Sequence, residues 1–215
     1  MRVAVIISGL IDRMCVDSIK ENIINPYGAD TFVVSAEDNI SEEELVQIWN
    51  PTSMWYGNFP TEVESRIEGL QTYPKSTETN LNSFVKMCWG IYTANRLRED
   101  WQEQNGFRYN WVVRCRPDLM IQNQLVIKGD DLWIPIGFDN NGGYNDTFAY
   151  GNDNSMACYS RLYNNIKYLV DKGSIIHPEF LLKENLEMYY QKIWRWHYPI
   201  QLRGMKLNEI DYKQK

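Results

Sequence analysis

Trp111-Val112-Val113-Arg114-Cys115-Arg116-Pro117-Asp118 is the stretch that decides the fold of this chain. Val112 and Val113 suit a strand inside a sheet, whereas Arg114, Arg116 and Asp118 are costly to bury unless they are paired or hold a charged ligand. In an open α/β sheet, ligands sit at the carboxyl ends of the strands. A strand that ends in two arginines and a carboxylate therefore points to an anionic, phosphate-bearing ligand with a divalent cation close by.

The segments on either side supply the rest of such a sheet. Val3 to Ser8 is a near-continuous apolar run closed by Gly9, as expected of a central strand entering a loop. Residues 14 to 24 read as a short helix. Asp30 to Ser35, with Phe32, Val33 and Val34, reads as a second strand running into Ala36-Glu37-Asp38. Ser41 with Glu44 three residues on forms a capping box for a helix through Trp49. From Pro51 to Thr79 prolines and glycines punctuate the pattern, which predicts an irregular inserted segment over about 51–79. Asn80 to Gln104 is the clearest helix: Leu81, Phe84, Val85, Cys88, Trp89, Tyr92 and Leu97 share one apolar face, and Gly106 stops it.

Beyond the quoted stretch, Leu132 to Pro135 reads as a strand and Gly137 to Asp146 as a loop rich in Gly, Asn and Asp. Thr147 to Tyr150 is a further short strand, and Ser155 to Val170 a helix ended by Gly173. Pro178 opens a helix through Tyr190, and Ile193 to Leu202 reads as a closing strand. Strands alternating with helices predict one three-layer α/β domain over residues 1–215, its sheet mostly parallel with one antiparallel member.

Composition narrows the function. A net charge of -6 offers no basic stripe for a nucleic-acid backbone, so any phosphate chemistry must be local. The N-terminal apolar run is too short for a signal peptide, and no later run approaches a membrane span. The four cysteines, Cys15, Cys88, Cys115 and Cys158, form neither a CxxC pair nor a zinc pattern, which predicts reduced thiols in a cytoplasmic protein. The sequons at Asn39 and Asn145 carry little weight without a secretion signal. The 8 Trp and 14 Tyr suit either a sugar-binding cleft or ordinary packing.

Several residues have chemistry to offer, each with a plainer alternative. No GxGxxG or GxxxxGK[ST] follows the first strand, which disfavours dinucleotide redox chemistry and P-loop hydrolysis. Ser8, Gly9 and Arg13 can approach a nucleotide through backbone and charge, or form a turn with a surface arginine. Asp38 can accept hydrogen bonds from a ribose or base, or stand solvated in a loop. Lys86 can reach a diphosphate from the long helix, or snorkel. Asp118 can hold Mg²⁺ or Mn²⁺ with phosphate and water completing the shell, or pair with Arg116 to close a turn. Asp146 is a candidate catalytic carboxylate, the alternative being a turn-capping aspartate. Glu179 is the rival base, and an acid in a first helical turn is also ordinary dipole compensation.

Ser8-Gly9 after an N-terminal strand, Asn82-Ser83-Phe84 on the long helix, Tyr109 to Leu119, and Asn145-Asp146-Thr147-Phe148-Ala149-Tyr150-Gly151 together resemble small GT-A-type glycosyltransferases. Such enzymes occur in bacterial surface-polysaccharide clusters and in large DNA viruses, including chlorella-virus enzymes that glycosylate the capsid. The resemblance runs from the first strand to His177-Pro178-Glu179. It implies a three-layer, Rossmann-like GT-A domain that moves a sugar from a nucleotide-diphosphate donor, a UDP-sugar by preference, to a glycan or glycoprotein acceptor. For a virus-encoded member the implied location is the host cytoplasm.

Carried over residue by residue, the resemblance puts Ser8, Gly9, Arg13 and Asp38 at the nucleoside and Lys86, Arg114 and Arg116 at the diphosphate. Asp118 would hold Mn²⁺ or Mg²⁺, helped by His177 or His197, and Asp146 or Glu179 would act at the acceptor. One departure is plain: the usual Asp-x-Asp signature is here Arg116-Pro117-Asp118, with only its last acid kept. A sugar nucleotidyltransferase and a non-catalytic carbohydrate-binding domain are the competing readings.

Overall fold

β1, Val3–Ser8, is buried along its whole length, as a continuous apolar run must be when both faces of a sheet are covered. The computed structural model describes residues 1–9, 15–37 and 40–202. Within them β2 is Asp30–Ala36, β3 Ser53–Gly57, β4 Trp111–Cys115, β5 Leu119–Ile121, β6 Leu132–Pro135, β7 Phe148–Gly151, β8 Ile193–Trp196 and β9 Ile200–Leu202. Seven of these form one sheet in the order β3-β2-β1-β4-β7-β6-β8, and β5 pairs with β9 in a separate ribbon. All pairings in the main sheet are parallel except those of β7, which runs against both β4 and β6.

The period-2 pattern sorts the sheet's side chains into two cores. Ala4, Ile6, Phe32, Val34 and Val112 face one side, packed by the helices α4 (Thr61–Leu70), α5 (Leu81–Asn105), α6 (Asp153–Ser160), α7 (Leu162–Asp171) and α8 (Pro178–Met188). Val3, Val5, Ile7, Val33, Val113 and Cys115 face the other. There they meet α1 (Val16–Ile19), a π-helical turn at Lys20–Ile24, α2 (Asn25–Tyr27), α3 (Glu42–Trp49) and the β5/β9 ribbon. The result is the expected three-layer α/β arrangement.

Local signals act as read. Ser41 Oγ accepts from the Glu44 amide while Glu44 accepts from the Ser41 amide, the reciprocal capping box of α3. Asn80 caps α5, and Gly106 ends it in the left-handed conformation.

Three boundaries differ from expectation. The stretch read as irregular over 51–79 contains β3 and α4; β3 is an edge strand, only half-buried, so its pattern is weak. The helix expected over 155–170 breaks at Arg161 into α6 and α7. The closing strand divides in two, β8 joining the main sheet and β9 the ribbon.

Candidate functional site

The order β3-β2-β1-β4 reverses between β1 and β4, so the crevice at their carboxyl ends is a topological switch point. α5 crosses it closely: a Cβ on Gly90 would lie 3.2 Å from Ser8 Cβ. Gly9 leaves β1 with φ 144, and a Cβ there would meet Pro117 Cδ at 3.0 Å, so the β1 and β4 exits touch. Above them lies a cavity of about 360 Å³ lined by Ser8, Gly9, Phe59, Lys86, Arg114 and Arg116, among others.

Arg114 is the anomaly in this wall. It is 0% exposed, yet Nε, Nη1 and Nη2 all lack a hydrogen-bond partner, and so does Ser8 Oγ. Burial lowers its pKa, with Tyr159, Cys115 and Asp146 acting against that effect. Arginine nonetheless keeps its proton in proteins. A buried cation with every donor idle is a site prepared for an anion.

Arg116, two residues on, is held instead. Its Nε donates to Asp118 Oδ1 at 2.9 Å and its Nη2 to Asp118 Oδ2 at 2.8 Å, a two-pronged pair. Burial works against the charge of Arg116, but the hydrogen bonds and attraction from Asp118 outweigh it and the pKa is raised. The Arg116 amide donates to Thr147 O at 3.1 Å, which ties the end of β4 to the entrance of β7.

A second cavity of about 340 Å³ adjoins the first, with Ser83, Met87 and Arg116 lining both. Asp146, His177 and Glu179 lie in its wall. Glu179 Oε1 accepts from Asn140 Nδ2 at 2.8 Å, and Oε2 stands 3.1 Å from His177 Nδ1. That last contact has the distance of an ion pair but not the alignment of a hydrogen bond, since His177 Nδ1 has no hydrogen-bond partner. Burial, then the charge of Asp146, pushes the Glu179 carboxyl up to about 7. Asp146 is itself raised by burial, against the pull of Arg116 and Arg114. His177 is lowered by burial despite Glu78 and Asp146 and so is neutral at neutral pH.

No protein-family model and no curated protein matches this chain.

The expected site residues thus fall into two adjoining groups. Ser8, Gly9, Lys86, Arg114 and Arg116 line the first cavity; Asp146, His177 and Glu179 line the second. Arg13 and Asp38 lie outside the described residues. Lys86 pairs with Glu64 at 3.0 Å and sits over the Phe59 ring, so its charge is already engaged. Asp118 lines neither cavity but holds Arg116, which lines both, in the ion pair that was the plainer reading.

Asp118 fits poorly as a principal metal ligand, because it is buried and each of its oxygens already accepts from the Arg116 fork. Among the described residues no group of three or more His, Cys, Asp or Glu is arranged to hold a metal, and Asp118 lies outside the cavity wall that holds His177. His197 is exposed and lines neither cavity.

Sequence reasoning missed Phe59 and Met87 in the cavity walls, and Asn140 and Glu78 around the acids. It also cast the aromatic surplus too generously. No described tryptophan or tyrosine lines either cavity. Trp133 instead stacks on Tyr150 and Trp194, and Trp55 packs edge-on against Trp89. Asn145 is fully buried and its Oδ1 accepts from Thr147 N and Oγ1, which removes it as a glycosylation acceptor in the folded chain. A larger groove of about 530 Å³ lies at the carboxyl end of α5, around Phe107 and Arg108, in the connection that leads into β4.

Proposed function

We propose that this chain is a glycosyltransferase that takes a sugar from a nucleoside-diphosphate donor, in the first instance a UDP-sugar, and passes it to a hydroxyl of a glycan or glycoprotein. The observation that carries the reading is Arg114, a buried guanidinium with no partner at the switch point of the sheet. A diphosphate supplies the acceptor oxygens that its donors and Ser8 Oγ lack.

The two adjoining cavities support a two-substrate reaction. With the diphosphate against Arg114 and Arg116, the donor sugar faces the shared wall, and the acceptor enters beside Glu179. Glu179, with a carboxyl near 7, is the base matched to neutral pH. It takes the proton of the acceptor hydroxyl as that oxygen bonds to the anomeric carbon. The bond from this carbon to the diphosphate breaks, and the electron pair leaves on a phosphate oxygen facing the arginines. Direct attack of this kind inverts the anomeric centre. Asp146 acts through Glu179, raising its basicity, rather than as the base itself.

No helix among the described residues is long and apolar enough to cross a membrane. A panel of UDP-, GDP-, CDP- and dTDP-sugars, followed for release of nucleoside diphosphate, tests the proposal. Release of pyrophosphate would instead mark a nucleotidyltransferase. No thermal stabilisation by any nucleoside diphosphate would sink the donor reading.

A further inference from the structure

We infer that donor binding requires no divalent cation: Arg114 and Arg116 meet the diphosphate directly, and Asp118 is the positioning residue that aims Arg116. The inference rests on the nucleoside-diphosphate reading above and adds to it the means by which the phosphate charge is met.

Three observations converge on it. The first is the geometry of Asp118. Both oxygens accept from the Arg116 fork, and its side chain is 10% exposed against 27% for Arg116. A hard cation needs carboxylate oxygen aimed at it from an open site. Here the carboxylate is turned to Arg116 and largely buried, so a metal would have to share it with a two-pronged ion pair and draw on its remaining lone pairs.

The second is what the fork leaves over. Arg116 uses Nε and Nη2 on Asp118, and Nη1 has no partner among the described residues. The side chain that carries it lines both cavities. Held at two points, a guanidinium keeps its plane, so its remaining donors are preorganised at the junction where a leaving diphosphate would lie.

The third is Arg114, whose three nitrogens are buried and idle in the wall shared with Ser8 Oγ. A bound cation beside it would add positive charge next to a guanidinium already short of counter-charge. A phosphate placed there directly relieves that shortage. The Arg-Pro-Asp sequence, anomalous as a metal signature, is then coherent as an arginine and its support.

The test is calorimetric titration of UDP, GDP, CDP, dTDP and ADP into the whole chain, once in EDTA and once in Mn²⁺. The expected result is binding of at least one nucleotide with Kd in EDTA within about threefold of that in Mn²⁺. Asp118→Asn, which leaves one strong acceptor for the fork, is expected to weaken binding by about tenfold in both buffers alike. A metal ligand would instead lose its effect only in Mn²⁺. Arg116→Lys is expected to weaken binding in both buffers alike, because an ammonium cannot make the fork.

Binding in Mn²⁺ that disappears in EDTA overturns the inference and leaves the donor reading standing. No binding in either buffer overturns the donor reading and this inference with it. The comparison on the unaltered chain decides the matter even where a variant fails to fold.

Discussion

His177 Nδ1 lies 3.1 Å from Glu179 Oε2, across the first turn of α8 and inside the cavity that Asp146 also lines. A carboxylate at the start of a helix is ordinarily stabilised by the backbone dipole. Glu179 goes the other way: burial and the nearby Asp146 charge outweigh that help. An acid held this way keeps its proton to higher pH than a capping carboxylate does.

The pH dependence follows. kcat/KM is expected to rise through pH about 7 as Glu179 ionises. Glu179→Gln is expected to lower kcat by about 10²–10³-fold and leave donor affinity within about twofold, in line with the usual weight of a general base. Stability runs opposite. Because the folded pKa exceeds the ordinary carboxyl value of 4.5, the native state holds the proton longer than the unfolded chain does. The contribution of Glu179 to stability is therefore full below about pH 4.5 and is lost as pH rises through about 7, and Glu179→Gln removes that component of the slope in denaturant titrations.

Asp146→Asn separates tuning from catalysis. Removing its charge takes away the second largest cause of the raised Glu179 carboxyl. The acidic limb of kcat/KM is expected to move to lower pH while turnover at high pH persists. An unmoved limb together with a collapse in turnover at all pH would make Asp146 the base instead.

Arg114→Met is expected to trade binding for stability. It replaces a buried, unpartnered cation by an apolar chain of similar length, which should raise stability by about 1–3 kcal/mol or leave it unchanged. Nucleoside-diphosphate binding should fall at least about 100-fold. Thermal melts with and without nucleotide read both effects; a variant that is destabilised and still binds would contradict the assignment.

Two neighbouring glycines give a further contrast. A Cβ on Gly143 would lie 2.1 Å from the Glu179 carbonyl carbon and 2.4 Å from the Phe180 nitrogen, so the loop and α8 would have to separate. Gly142 has φ 71 and open space around it. Gly143→Ala is expected to cost about 2–4 kcal/mol and much of kcat, Gly142→Ala only about 1 kcal/mol, as chemical denaturation and turnover would show.

Much of the scaffold was legible because local chemistry and tertiary packing agree in it. β1 and β4 announce themselves as apolar runs, and Ser41, Glu44, Asn80 and Gly106 mark helix ends that form as written. β3 was missed because an edge strand has fewer neighbours to demand a clear pattern. The α6/α7 break at Arg161 left no trace, for the apolar spacing runs through it.

At the site, Arg114 was readable from its cost of burial alone. Asp118 was not, because Arg-x-Asp suits a metal shell and an ion pair equally until the direction of the carboxylate is known. The coupling of Glu179 to Asp146 joins residues from opposite ends of a long connection, and only the topology of the sheet brings them into one wall. Asn140 had one faint signal, a polar run in the loop before β7.

The reversal of β7 has a consequence for how this architecture can diversify. The strands parallel to β4 bring their exits to the functional edge, but β7 brings its entrance. The hairpin-like approach through 136–147, carrying Asn140, Gly143 and Asp146, therefore reaches the β4 arginines from the opposite chain direction and is tied to them where the Arg116 amide donates to Thr147 O. Under the proposed transfer, changes of length or composition there bear first on the acceptor side. On that reading, a single strand turned around gives the walls of the two substrates separate stretches of sequence.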